Sequence, residues 1–220
     1  MQRRSLLLAA PAALASGCAT VPYWSMTDSV NRLARSKSFE FQVAEGWMRT
    51  TEARGYEQVD IDGKPQTIAY ESMQLTRDGL RLQAITVTRR FPDNAFPTLK
   101  KKSREDMLPP EAADLYVSEL KKRNGMEKLV MLSNKPARID GKNGFVVLLQ
   151  AKNDDGLRIN VMTHGFVDKT GFYTLAYRAP ALHFHERDMR AYMDLVGSWR
   201  QTKAASEPPP EMPAWIKLFS

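Results

Sequence analysis

The stretch GFVVLLQAKNDDGLRINVMTHGFVDKTGFYTLAY, residues 144–177, decides how this chain folds. It holds three runs rich in branched and aromatic residues: Gly144 to Ala151, Leu157 to Val167 and Phe172 to Tyr177. Asp154-Asp155-Gly156 and Lys169-Thr170-Gly171 separate them. Such runs bounded by turn residues read as strands. Strands joined by turns this short run antiparallel, because a parallel return needs a crossover of a dozen residues or more.

The same grammar extends toward the N-terminal side. FEFQV, residues 39–43, alternates apolar and polar, the mark of a strand with one buried face. Tyr56 to Ile61 and Thr67 to Leu75 flank Asp62-Gly63, a hairpin signal. After Arg77-Asp78-Gly79, LRLQAITVTRR (residues 80–90) reads as a strand closed by Phe91-Pro92-Asp93-Asn94. Lys128 to Leu132 and Ala137 to Ile139 are two further β-like segments. Two helices interrupt the pattern. Pro109-Pro110-Glu111 opens the first, with Ala112, Leu115 and Leu120 on one side, cationic Lys121, Lys122 and Arg123 in its last turn, and Asn124-Gly125 as its stop. The second runs from about His183 to Arg200, where Met189, Tyr192 or Met193, Val196 and Trp199 recur at helical spacing. Together these elements predict an α+β fold: a central antiparallel sheet of about six to eight strands with flanking helices.

Composition agrees with a cored globular domain. Of 220 residues, 43% are hydrophobic and 26% charged, close to ordinary globular usage. The single cysteine, Cys18, rules out an intramolecular disulfide, so the core must hold itself.

Cys18 has a different use. Arg3 and Arg4 form a positive n-region, Leu6 to Ala15 an apolar h-region too short to span a bilayer, and Ala15-Ser16-Gly17 the small residues a signal peptidase needs. The string LASGC, residues 14–18, resembles the lipobox of bacterial lipoproteins, whose cysteine receives diacylglycerol before cleavage. Leu14 stands one position further from the cysteine than the lipobox leucine does. The resemblance implies lipid attachment at Cys18. Ala19 directly after it implies an outer-membrane address facing the periplasm rather than the inner membrane. Both the general secretory route and the twin-arginine route, which QRRSLLL resembles, stay open.

The expected organisation is a signal peptide over residues 1–17, a lipidated N-terminus and tether or first helix over 18–37, one α+β domain over 38–200, and a Pro-rich tail over 201–220. The tail closes with Trp215-Ile216-Lys217-Leu218-Phe219, apolar enough to dock on the domain, on a partner or on the bilayer.

FEFQVAEGW near the start, FYTLAYRAP near the end, and a following helix that closes on Val196-Gly197-Ser198-Trp199 resemble the PsbP-like superfamily. Glu45 stands where that superfamily usually has a proline before Gly-Trp. The resemblance implies a central antiparallel sheet flanked by helices and an accessory or binding role, and it carries over no catalytic residue.

Motifs for chemistry are sparse. The chain has no Gly-x-Ser-x-Gly elbow, no phosphate-cradling glycine loop and no His-Glu-x-x-His helix. His183 and His185, with Glu186 and Asp188 nearby, are the candidate metal ligands, set against a reading in which they are polar residues opening the last helix. His164 shares strand parity with Arg158 and Asn160, which predicts a solvated sheet face. Removing the leader takes two of the 32 basic residues and none of the 25 acidic ones, leaving a formal +5. Lys100, Lys101, Lys102 and Arg104 are the candidate contacts for an anionic envelope surface, and an exported location argues against nucleic acid. No cofactor is expected. The functional expectation is a non-catalytic envelope accessory that binds another envelope protein or an anionic component. The alternatives are an envelope hydrolase using scattered residues such as His164, and a carrier of a small apolar ligand.

Overall fold

The structure is a computed structural model and describes residues 24–51, 54–61, 64–124, 129–152 and 156–206. Cys18, the signal peptide expected over residues 1–17 and the segment from Trp215 to Phe219 lie outside these residues.

The three runs that opened the sequence reading are strands β9 (Lys142–Lys152), β10 (Arg158–Asp168) and β11 (Gly171–Pro180). They pair antiparallel, Gly165 facing Phe145 on one side and Thr174 on the other. Around them the sheet grows to nine strands: β1 (Trp24–Met26), β4 (Met48–Thr50), β5 (Arg54–Ile61), β6 (Lys64–Thr76), β7 (Ala84–Arg90) and β8 (Val130–Ile139) complete it. Their order is β1-β4-β6-β7-β11-β10-β9-β8, with β5 also paired to β6. Every pairing is antiparallel. The fold is α+β with a central antiparallel sheet, one strand larger than expected.

Both faces of the sheet are covered. Helix α1 (Pro109–Asn124) lies on one face, where Ala112, Ala113 and Val117 meet Phe145, Val147 and Leu149. On the other face sit helix α3 (Met189–Ser198) and a small sheet in which β3 (Phe39–Gln42) is flanked by β2 (Leu33–Arg35) and β12 (Arg200–Gln201). There Phe39, Phe41, Tyr192, Leu195 and Trp199 pack on Leu75, Val87, Phe166, Leu175 and Tyr177. Burying Phe39 or Phe41 contributes about 1.5–3 kcal/mol each, and Trp199 meets Phe166 and Tyr173 edge-on at 5.4 and 5.5 Å. Coverage on both sides explains why β9 reads as a nearly continuous apolar run rather than a strict alternation.

Several expectations are corrected. Residues 24–35, read as tether or helix, contain β1 and β2, with Thr27 and Ala34 buried. Strands of three residues are too short to display a period. The strand expected over 80–90 begins only at Ala84, since the backbone N–H groups of Leu82 and Gln83 both donate to the Gly79 carbonyl in a turn. Val130 to Leu132, the part of the segment expected over 128–132 that is strand, and Ala137 to Ile139 belong to the single strand β8, with a bulge between Met131 and Ser133. Pro136 is tolerated because β8 is an edge strand with one ladder to satisfy. It turns into β9 through Asp140-Gly141, both at positive φ, the geometry of a two-residue hairpin turn. The last helix breaks in two, α2 (Phe184–Arg187) and α3, at Asp188, whose carboxylate Arg77, Gln83 and Arg187 take up. The fold also runs past residue 200: β12 pairs with β3, and a 3-10 turn over Lys203–Ser206 buries Ala205.

Candidate functional site

His164 is not on a solvated face. It points from β10 toward α3 and is 6% exposed. The Tyr192 hydroxyl donates to the Leu175 carbonyl at 2.7 Å and lies 3.2 Å from the His164 backbone nitrogen and 2.8 Å from its Nδ1. Since the phenol proton is committed to Leu175, its oxygen accepts both the backbone N–H and an Nδ1–H, which assigns the imidazole tautomer. Burial lowers the His164 pKa to about 4, so the ring is neutral at pH 7. A histidine held this way braces a helix against a strand. A hydrolytic base needs a carboxylate behind it and a nucleophile ahead, and the partner this ring contacts is Tyr192.

The two candidate metal ligands diverge. His185 is buried and stacks on Tyr177 with centroids 5.5 Å apart, and burial lowers its pKa. His183 is exposed and meets the Phe184 ring edge-on. Among the described residues no group of three His, Cys, Asp or Glu side chains could hold a metal ion.

Lys100, Lys101, Lys102 and Arg104 do gather, around a depression of about 440 Å³ also lined by Ser103, Met107, Glu111 and Leu115. Acids accompany them. Lys102 lies 2.7 Å from Asp93, and Arg104 reaches Asp106 at 3.2 Å and Glu111 at 3.4 Å. These exposed pairs are worth little energetically, yet they dilute the positive field that an anionic surface would feel.

Two features escaped the sequence reading. Arg89 and Glu71, nearly inaccessible, approach within 3.7 Å across β7 and β6. The Arg89 guanidinium also donates to the Thr170 and Ala205 carbonyls and to the Ser38 hydroxyl, and lies 4.5 Å above the Phe91 ring. It ties the end of β7 to the closing 3-10 turn. The second feature is the outer edge of β8. Val130, Met131 and Leu132 are consecutive, apolar and exposed, because the bulge leaves Leu132 without a partner in β9. Lys135 and Pro136 blunt the other half of the edge, as edge strands commonly are. A run VML ahead of a polar segment was legible, but nothing in the sequence marked it as an edge.

No protein-family model matches the chain, and no curated protein matches it. Among solved structures, the chain is similar to cyanobacterial PsbP (CyanoP) from Synechocystis sp. PCC 6803. The identity is 10%, the likeness spans 84% of this chain and 96% of that one, and the TM-score is 0.48. It is also similar to PA94, a protein of unknown function from Pseudomonas aeruginosa, at 11% identity over 78% of this chain and 92% of that one, with a TM-score of 0.35.

Proposed function

We propose that the protein is a non-catalytic binding module of the cell envelope, tethered to the outer membrane by lipid on Cys18, that captures an extended segment of another envelope protein along β8. The observation that carries this reading is the β8 edge. Its first three residues expose apolar side chains beside backbone groups that no strand pairs on the outer side among the described residues. An added strand satisfies those N–H and C=O groups, while side-chain pockets supply selectivity. The edge carries Lys135 and Arg138 and no acid within β8. The fitting partner is therefore an extended stretch with apolar side chains opposite Val130–Leu132 and a carboxylate opposite Lys135. The buried His164, whose ring is hydrogen-bonded to Tyr192 rather than to a carboxylate, supports the non-catalytic half of the reading.

A photoreactive side chain at Leu132, in cells carrying the wild-type anchor, tests this directly. The expected result is one discrete adduct, mapped to an extended apolar segment of an envelope protein and abolished by Met131→Asp. No specific adduct, together with turnover of an envelope substrate by the purified protein, would overturn the reading.

A further inference from the structure

A second exposed apolar feature lies at the opposite edge of the sheet, where the described chain begins. Met26 at the end of β1, Val30 in the loop and Leu33 at the start of β2 are 69%, 93% and 40% exposed. The loop between them is built. The Asp28 carboxylate accepts the backbone N–H groups of Val30 and Asn31 at 2.9 and 2.6 Å. Arg32 Nε donates to the Val43 carbonyl at 3.0 Å, and the Thr27 backbone pairs with Trp47 and Gly46. Val30 is thus held outward on a braced projection. Projecting apolar side chains of this kind mark contact surfaces.

The length of chain outside the structure says what covers it. Five residues separate Cys18 from Trp24, and covalent geometry limits that distance to about 20 Å whatever their conformation. Given the lipid on Cys18, on which this inference rests, β1 stays within about 20 Å of the anchored end at the bilayer surface.

We infer that the projection Met26–Val30–Leu33 docks on the lipid surface itself and fixes the orientation of the protein on it. The charges around it are mixed, with Arg32 against Asp28 and Glu45, all exposed. Apolar insertion rather than attraction to anionic headgroups drives the contact. The order of the sheet then gives the contact a purpose. β1 and β8 are opposite edges, seven strand steps of about 4.8 Å apart, so β8 is presented about 34 Å along the sheet from the membrane-facing edge.

The test uses the lipidated protein in vesicles of phosphatidylethanolamine with or without phosphatidylglycerol. Lipidation consumes the Cys18 thiol, so Val30→Cys, or Lys135→Cys on β8, gives a unique site for an environment-sensitive fluorophore. The expected result is a blue-shifted Val30 label quenched by lipid-borne quenchers equally in both vesicles, with the Lys135 label unquenched. Met26→Glu combined with Leu33→Glu should release the Val30 label to water while acyl labelling stays unchanged. A Val30 label as solvated as the Lys135 label, or quenching that requires phosphatidylglycerol, overturns the inference with the anchor intact. Shielding of the Val30 label in cells but not in vesicles assigns the projection to a protein and overturns it too. Absence of acyl label on the wild-type protein removes the anchor itself, a separately visible failure.

Discussion

The Nδ1 of His164 and the hydroxyl of Tyr192 lie 2.8 Å apart, and that contact joins the middle of β10 to the middle of α3. Three polar groups, the His164 imidazole, its backbone N–H and the Leu175 carbonyl, meet on one phenol oxygen. Tyr192→Phe leaves all three buried without that partner. An unsatisfied buried group costs about 1–3 kcal/mol, so urea unfolding should show at least that loss. An unchanged midpoint would refute the role.

The same histidine gives the protein an acid limit. Its pKa falls from 6.5 to about 4 on folding, so between those values the unfolded chain binds the proton that the folded one refuses. The contribution is fully present above pH 6.5 and is lost as pH falls toward 4, by about 3 kcal/mol. His185 shifts the same way. Denaturant titrations from pH 7 to 4 should show stability falling with pH, and His164→Gln should flatten the slope.

The Arg89–Glu71 pair predicts an asymmetry. Arg89→Met leaves the Glu71 carboxylate buried without its cation and frees the Thr170 and Ala205 carbonyls, a loss of about 3–5 kcal/mol. Adding Glu71→Leu should restore part of it, since removing both charges is far less costly than removing one. A double variant no more stable than Arg89→Met would contradict this account.

Localisation has its own check. Cys18→Ala should abolish acyl labelling and release the protein from membranes, and labelling that persists would refute lipid attachment at that residue.

The strands were legible where two features coincided, a branched or aromatic run and a glycine turn, as at β9, β10 and β11. Helix α1 was legible to its ends because Pro109 starts it and Asn124 closes it. His164 was misplaced because Arg158 and Asn160 share its parity at the exposed to half-buried start of the strand, while burial deepens from Thr163 to Phe166, where α3 covers the face that carries His164. Parity is constant along a strand, but cover is not. The edge position of β8 was hidden because strand order is a long-range property, and Arg89 because the carbonyls it binds lie 81 and 116 residues away.

The small sheet that places β12 beside β3 sets an order of events during folding. Phe39 and Phe41 wait for Trp199 and Gln201, more than 150 positions later in synthesis, before the layer over them can close. Such distant pairing raises contact order and slows the final step. A chain stopped before residue 199 would lack both the Trp199 ring stacked on Phe39 and the β12 strand paired with it, making the last few described residues the clasp that finishes the molecule.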